Sequence, residues 1–157
     1  MSAINRPLPL DIVKDEAALR VPCTDVTAEM LKDPDFVLFL DRMMTVVLRT
    51  GALGLAANQV GRNVRAIVVR QWQGGLPQVY INPRITPREE YGHVLSAEGC
   101  LSIPGVEGKV RRWKRIWVEA LDRDGVTLTF QEKAPRASVF QHEVDHLDGV
   151  LFTDKLA

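Results

Sequence analysis

The chain has 157 residues, a length that predicts one domain and leaves no room for a second sizeable core. Apolar residues make up 46% of it and charged residues 25%, as in ordinary water-soluble globular proteins. Lys and Arg together number 20, and so do Asp and Glu, so no charge excess points to nucleic acid or to an anionic membrane. This balance favours a small, roughly neutral partner or substrate.

The cysteine content and the N-terminus indicate the compartment. Two cysteines occur, Cys23 and Cys100, which are too few and too far apart for a disulfide framework. The first twenty residues contain two prolines and early acidic residues, where a secretory signal would need an uninterrupted apolar core. The longest apolar stretch, around 36–48, is broken by charged residues, so we expect no membrane span. These features predict a cytoplasmic protein, with an organellar one as the alternative.

The segment from Asp33 to Gly51 predicts an amphipathic helix. Asp33 suits the N-cap, and Pro34 suits the first helical position because its missing N–H would be unpaired there anyway. Gly51 can supply the left-handed residue that ends the helix. One helical stripe collects the apolar residues Phe36, Val37, Leu40, Met44, Val47 and Leu48. We interpret this stripe as a packing surface rather than a cofactor site.

Three β-branched and aromatic runs, bounded by Gly, Pro or Asn, predict strands at 64–70, 77–83 and 115–121. The sequence DRDG after the third run is a turn signal, so residues 115–130 predict an antiparallel hairpin. Residues 52–61 are too rich in small side chains for an ordinary core strand. A helix, several strands and a final helix are typical of an α+β fold rather than of alternating βαβ units.

The last predicted helix begins near the sequence APRAS, residues 134–138, and ends at Gly149. One face of this helix collects Val139, His142, Glu143 and His146. A second face collects Phe140, Val144, Leu147 and Leu151. We expect the second face to pack on a sheet while the first faces a cleft.

The two histidines of the first face have the spacing of a metal site. Histidines four residues apart on a helix lie close enough for both imidazoles to bind one ion. Glu143 would lie beside the open position of that ion, where it can take a proton from water and pass it to a leaving group. An exposed histidine pair would show the same short pattern, so a functional site needs a third ligand. The sequence leaves open whether Asp145 orients a ligand or pairs with an arginine.

The third ligand is sought upstream because the eleven residues after His146 contain no histidine or glutamate, and Asp148 faces away from the ligand side. Cys100 follows a glycine in a stretch predicted to be extended before a turn, and a thiolate binds zinc or ferrous iron strongly. A buried, inert cysteine is the alternative. The surroundings and the missing ligand favour Cys100 as the ligand. We expect Cys23 to be structural or exposed. His93 is interpreted as a surface loop residue, and we assign it no role.

Three short sequences resemble the motifs of the peptide deformylase family and occur in the order of that family. They are ALGLAANQ at 52–59, EGCLS at 98–102 and QHEVDHL at 141–147. The resemblance extends from about the first predicted helix to the last, and three motifs in order are far more specific than one. Together with the predicted elements, it implies one α+β domain over 1–157, with antiparallel or mixed sheets around a C-terminal metal-binding helix and an N-terminal amphipathic helix.

The resemblance implies metal-dependent hydrolysis of the formyl group from N-formylmethionine at the start of new polypeptides, with release of formate. The metal ligands of the family fall on Cys100, His142 and His146. Its general acid/base falls on Glu143, and its oxyanion donors fall on the Gln59 side chain and the Leu101 backbone N–H. The implied cofactor is one divalent ion, first ferrous iron, with zinc, nickel or cobalt as alternatives.

The resemblance also implies where the peptide binds. Leu53 occupies an apolar motif position, and we add Val139, one helical turn before His142, as a second wall of a pocket for the unbranched methionine side chain. Gly54 and Gly99 would let the substrate backbone approach closely, because glycine carries no side chain. A formyl carbon carries only hydrogen, so a tight site would admit formyl and exclude acetyl.

Two positions depart from the pattern of the family. Ala52 stands where glycine is usual, and alanine would be strained there if the backbone needs a positive φ. Glu107 stands near the place of an arginine that could anchor substrate, so peptide affinity is expected to differ.

The residues after 149 are too few for the further C-terminal helix of many bacterial members. We therefore expect at most transient ribosome contact. We also expect a monomer, no membrane contact and no direct nucleic-acid binding. Two alternatives stay open: a related metal hydrolase that acts on other N-acyl groups, and a non-enzymatic metal-binding protein.

Overall fold

The computed structural model describes residues 7–71 and 75–157, so the first part of the N-terminal segment considered for a secretory signal lies outside the described residues. The α-helices in these ranges are α1 (Glu16–Leu19), α2 (Ala28–Lys32), α3 (Pro34–Thr50) and α4 (Arg136–Leu147). The strands are β1 (Gly54–Ala56), β2 (Ala66–Arg70), β3 (Pro77–Pro87), β4 (His93–Cys100), β5 (Ile103–Trp113), β6 (Arg115–Leu121) and β7 (Thr127–Lys133). No helix within the described ranges is long and apolar enough to cross a membrane.

The strands form two antiparallel sheets. A five-stranded sheet has the order β1-β2-β3-β6-β7, and β4 pairs with β5 in a separate two-stranded sheet. The predicted α+β fold is confirmed, and so is the hairpin of β6 and β7, whose register runs from Arg115 opposite Lys133 to Leu121 opposite Thr127. The pair β4–β5 was not predicted, because both strands are interrupted by glycine and polar residues.

Helix α3 begins and ends as predicted. The Asp33 carboxylate accepts a hydrogen bond from the backbone N–H two residues later at 2.9 Å, and Gly51 has a φ of 72°. The predicted packing stripe was partly wrong, because the buried face also includes Phe39, Met43 and Val46. The helix contacts α2 as well as β1, β2 and β3, so its buried arc is wider than one stripe.

The five-stranded sheet lies between α3 and α4. Along β2, Val68 packs in the cluster that contains the buried face of α3, whereas Ile67 and Val69 pack in the cluster that contains Phe140 and Leu147 of α4. Alternate residues of a strand point to opposite faces of its sheet, so both faces of β2 are covered. This burial on both faces explains the continuous apolar run of the strand. Helix α4 packs on the sheet with its Phe140 face, so its histidine face is turned toward β4 and β5.

The segment after α3 was expected to be too rich in small side chains for an ordinary core strand, but it contributes a short strand that pairs with β2. Three residues form β1, the residues Ala57–Val60 form one turn of 3-10 helix, and Gly61 ends it with a φ of 94°. Among the described non-glycine residues, Asn82 is the one with a positive φ, so Ala52 is not in the strained region. The alanine at this motif position therefore carries no backbone strain.

Candidate metal centre and cleft

Cys100, at the end of β4, meets the two histidines of α4. The possible ligand atoms of Cys100, His142 and His146 all lie within 4.8 Å of one another, and Cys100 Sγ is 3.4 Å from His146 Nε2. A tetrahedral ion with metal–sulfur and metal–nitrogen distances of about 2.3 and 2.0–2.1 Å holds such ligand atoms roughly 3.5 Å apart. The donor set therefore fits one divalent ion, and the elements that supply it are the ones predicted.

His146 is fully buried, and the side-chain amide of Asn58 donates a hydrogen bond to its backbone carbonyl at 2.8 Å. Burial lowers the pKa of the His146 imidazole to about 3, and the charges of His142 and Arg112 act in the same direction. A ligating imidazole must be neutral, so this environment suits a metal ligand.

His142 is oriented by a carboxylate. Its Nδ1 lies 2.8 Å from Oε1 of Glu98, so a hydrogen stays on Nδ1. Burial opposes protonation of His142, but hydrogen bonds to Cys100 and Glu98 outweigh it and raise the pKa of the imidazole to about 10, so a metal ion would replace the proton on Nε2. Glu98 accepts two hydrogen bonds from Arg112, at 2.7 and 2.9 Å. Burial opposes ionisation of Glu98, but these partners outweigh it and lower its pKa to about 2. The carboxylate is thus a fixed negative charge behind the metal ligand.

Arg112 links this carboxylate to the metal-binding helix. Its Nη1 lies 2.6 Å from Asp145 Oδ2, and Asp145 also pairs with Lys155 at 3.1 Å. The side chains of Arg112, Glu98 and Asp145 are only 2%, 6% and 17% exposed. Asp145 therefore pairs with an arginine and, through Arg112 and Glu98, takes part in holding His142. The sequence analysis did not identify Glu98 and Arg112 as site residues. Glu98 and Cys100 are two residues apart on a strand and so share one face, which could have indicated that Glu98 lies near the site.

We expect Arg112→Ala to lower the free energy of unfolding by about 3–5 kcal/mol, because it leaves the buried Glu98 carboxylate without its arginine and removes one of the two cations that pair with Asp145. Urea unfolding of the metal-free protein measures this change. Arg84→Ala is the matched control, since Arg84 and its partner Asp25 are both 58% exposed and such pairs contribute about 0–1 kcal/mol. Equal losses in the two variants would show that the buried network does not stabilise the site.

Glu143 lies in the floor of the site with little solvent contact. It is 4% exposed, and its Oε1 has no hydrogen-bond partner within 7–71 and 75–157. Burial raises the pKa of Glu143 to about 7, although the charge of His142 opposes the rise. A carboxyl group with a pKa near neutrality can both accept and donate a proton at working pH, as a general acid/base must.

Gly54 makes room for this glutamate. A Cβ at Gly54 would lie 2.7 Å from Glu143 Oε2 and 3.0 Å from Val139 Cγ1, closer than van der Waals contact allows. The sequence predicted a substrate-binding role for Gly54, and the contact with Glu143 gives a second reason for glycine here.

We expect Gly54→Ala to lower kcat by about 10²-fold, within the range for general acid/base catalysis, because the new methyl group displaces the Glu143 carboxylate. The metal content should not change. Steady-state kinetics with metal analysis tests this.

Gly99→Ala is the matched comparison for this variant. Its Cβ would meet only Val106 O at 3.6 Å and Glu107 Cγ at 3.8 Å. Any loss of activity should therefore appear as a higher KM, because the new methyl group would contact the bound peptide rather than Glu143. A Gly54→Ala enzyme with normal kcat would contradict the steric argument.

Gln59 points its amide N–H groups toward the metal ligands. Its Nε2 lies 3.3 Å from Cys100 Sγ and 3.2 Å from Ser102 Oγ, while its Oε1 accepts a hydrogen bond from the Ala56 backbone at 3.0 Å. The bond from Ala56 fixes which end of the amide faces the site. Leu101 lies in the turn directly after Cys100 and lines the same cleft. The two predicted oxyanion donors are thus next to the ligand cysteine.

A cleft of about 290 Å³ opens in front of the ligands. It is lined by Ala52, Leu53, Gly54, Gln59, Ser96, Ala97, Glu98, Gly99, Cys100, Leu101, Pro135, Ser138, Val139, His142 and Glu143. All four residues predicted to bind substrate lie along it. Glu107 is exposed and lies opposite Gly99 in the β4–β5 register, outside this lining. The sequence had predicted an apolar pocket and missed the two serines in the lining.

The remaining candidates lie away from the ligands. Cys23 is buried, burial raises the pKa of its thiol to about 11, and its N–H donates to the Leu147 carbonyl at 2.8 Å. His93 is the first residue of β4 rather than a loop residue, and its exposed ring stacks on Trp113 with centroids 3.9 Å apart. Asp148 faces away as predicted and accepts a hydrogen bond from Arg65 at 2.7 Å.

A cysteine and two histidines around one point, with a buried carboxyl group beside them, define the site of a metal-dependent hydrolase. The family model for polypeptide deformylase matches residues 9–157. The chain belongs to the polypeptide deformylase family and is a hydrolase.

Curated relatives agree with this assignment. A peptide deformylase of Symbiobacterium thermophilum is 43% identical over 152 residues, which covers 93% of this chain and 66% of the relative. A peptide deformylase of Syntrophomonas wolfei is 40% identical over 148 residues, which covers 94% of this chain and 89% of the relative.

Solved structures share the fold. The class I type b peptide deformylase from Acinetobacter baumannii with Met-Ala-Ser bound has a TM-score of 0.86 at 29% identity, covering 96% of this chain and 99% of that one. A peptide deformylase from Synechococcus elongatus in complex with actinonin has a TM-score of 0.84 at 34% identity, covering 98% of this chain and 81% of that one.

Proposed function

We propose that this chain removes the formyl group from N-formylmethionine at the start of newly made polypeptides and releases formate. The observation that carries the proposal is the buried Glu143 carboxyl group beside the Cys100, His142 and His146 ligand set, at the floor of an open cleft. The Acinetobacter enzyme, whose structure holds Met-Ala-Ser, supports a peptide that begins with methionine as the ligand.

The three ligands would hold one divalent ion, first ferrous iron, with zinc, nickel or cobalt as alternatives. Such an ion acidifies water and polarises a carbonyl group. Cys100 contributes a negative, soft donor that suits ferrous iron and zinc, and Glu98 keeps His142 in the ligating tautomer. The Cys100 thiolate is also open to oxidation, so the ferrous protein should be sensitive to oxygen.

Glu143 moves the proton in this proposal. It accepts a proton from the attacking water and delivers it to the amine nitrogen as the carbon–nitrogen bond breaks. Burial suits the residue for both steps, because the raised pKa makes the neutral and the ionised carboxyl similar in free energy near neutral pH.

Gln59 and Leu101 stabilise the negative charge that grows on the formyl oxygen. The Gln59 amide already faces Cys100 Sγ, and the Leu101 backbone N–H follows the same cysteine in the chain. One donor of this kind contributes about 3–4 kcal/mol in comparable sites. The hydrogen bond from the Ala56 N–H to Gln59 Oε1 already orients the amide, so little reorganisation is needed during the reaction.

Leu53, Gly54, Gly99 and Val139 position the peptide in the cleft. The two glycines leave the backbone accessible, and Leu53 and Val139 offer apolar surface to the methionine stem. Gly54, Glu143 and Val139 are so close that a Cβ would not fit between them. In this proposal the tight site admits a formyl group, which adds no methyl, and excludes acetyl.

We place this reaction in the cytoplasm, where the chain acts as a monomer. Its substrates leave the ribosome with the formyl group attached, so a transient meeting with the ribosome is part of the proposal. The equal numbers of acidic and basic residues support no lasting contact with RNA.

The proposal is tested on protein that is purified without oxygen and loaded with iron. Formate should be released from formyl-Met-Ala-Ser, and acetyl-Met-Ala-Ser should not be cleaved. Release of acetate alone would favour a hydrolase for other N-acyl groups. A folded, fully metallated protein that cleaves neither peptide would contradict an enzymatic role.

A further inference from the structure

Two serine hydroxyls in the cleft have no task in the reaction described above. Ser96 and Ser138 both line it, and Ser138 is only 4% exposed. Thr45 and Thr50 of α3 donate their hydroxyls to the carbonyl four residues earlier, at 3.1 and 2.8 Å. The Ser138 hydroxyl, also on a helix, makes no hydrogen bond within 7–71 and 75–157. Because Ser138 is nearly buried and lines the cleft, its hydroxyl is available to a bound ligand there.

The two serines lie on the same two elements as the candidate ligands, one on α4 and one on β4. Ser138 precedes His142 by four residues of α4, about 6 Å along the helix axis, and shares its face. Ser96 shares one face of β4 with Glu98 and Cys100, and it precedes Cys100 by roughly 13 Å of strand. A peptide with its formyl group at the ligands can direct its first side chain toward these hydroxyls.

We infer that Ser96 and Ser138 select the first side chain of the substrate by hydrogen bonding, an inference that rests on the proposed deformylase function. In this inference Leu53 and Val139 contact the apolar stem of the side chain, and the two hydroxyls bond to its far part. A thioether is a weak acceptor, whereas the oxygen of methionine sulfoxide is a strong one. The cleft therefore takes formyl peptides that begin with methionine or with methionine sulfoxide, and it disfavours norleucine, which has no acceptor there.

The effect follows from ordinary hydrogen-bond strengths. One neutral hydrogen bond changes kcat/KM by about two- to tenfold. With norleucine bound, the hydroxyls lose water and gain no partner, which adds to the discrimination. We therefore expect the ratio of kcat/KM for the sulfoxide to that for norleucine to be well above one in the native chain.

The test compares formyl-Met-Ala-Ser with its methionine sulfoxide and norleucine analogues, on iron-loaded native protein and on Ser96→Ala, Ser138→Ala and the double variant. The sulfoxide-to-norleucine ratio of kcat/KM should fall about fivefold in each single variant and further in the double variant. Thr129→Ala is the matched control, because this exposed hydroxyl lies on β7 outside the cleft lining. Its ratio should equal that of the native protein.

A second measurement does not depend on the variants. Inhibition of the native protein by the deformylated peptides should be stronger for the sulfoxide peptide than for the norleucine peptide. Equal inhibition, or an unchanged ratio in the double variant, would overturn the role of the serines while cleavage of formyl-Met-Ala-Ser leaves the proposed function intact. A loaded native protein that cleaves no formyl peptide would overturn both.

Discussion

Replacing Glu143 with alanine is expected to lower kcat by about 10²–10⁴-fold, the usual contribution of a general acid/base, while one equivalent of metal stays bound. The reason is positional: the carboxyl group lies beside the ligand set without belonging to it. Formate release and metal analysis on the same sample separate the two effects. The melting temperature of the variant should be equal to or higher than that of the native protein, because a buried carboxyl oxygen without a partner lowers stability.

Glu107→Gln is the control for this experiment. Glu107 is an exposed carboxylate on β5, outside the cleft lining, so its neutralisation should leave kcat within about twofold. The account would be contradicted if Glu143→Ala lost its metal, or if it kept kcat within a few-fold of the native value.

Replacing Cys100 with serine is expected to weaken iron binding by more than about 100-fold, the upper end of the losses seen when only an outer partner of a ligand is removed. A serine hydroxyl is neutral and hard at working pH, whereas a thiolate is charged and soft. Cys100 is the one sulfur donor in the ligand group found among residues 7–71 and 75–157, so the variant leaves only the two imidazoles of that group. Competition with a chelator of known affinity measures the change.

Cys23→Ser provides the matched control, since it also removes one thiol. Cys23 is buried beside Leu147 and outside the ligand group, so iron affinity should stay at the native value. Unchanged iron binding in Cys100→Ser, with the protein folded, would remove Cys100 from the metal site.

Local sequence signals predicted the elements that carry the site. The Asp33 and Pro34 start and the Gly51 end of α3 depend on capping chemistry within a few residues, and both were predicted correctly. The spacing of His142 and His146 fixes their common face as soon as α4 forms. Cys100 was predicted as a ligand because the helix lacks a third one and because the sequence resembles the family. The fold then places Cys100 beside the two histidines.

The missed features depend on contacts between distant segments. The β4–β5 hairpin has glycines and polar residues on both strands, so its pattern does not indicate strands. Its register places Arg112 opposite Val94, and the long arginine side chain then reaches Glu98, four residues further along β4. The close approach of Gly54 to Glu143 arises where β1 packs on α4, which no local pattern reveals. Likewise, the wide buried arc of α3 reflects its contacts with the sheet and with α2 rather than its own periodicity.

The central claim is a metal centre built from one sulfur and two imidazole nitrogens. X-ray absorption at the edge of the bound metal, on protein loaded with one equivalent of iron or cobalt, measures this coordination directly. One sulfur scatterer at about 2.3 Å and two nitrogen scatterers at about 2.0–2.1 Å are the expected result, by analogy with zinc sites of the same donors. A shell of oxygen and nitrogen atoms without sulfur would contradict the claim.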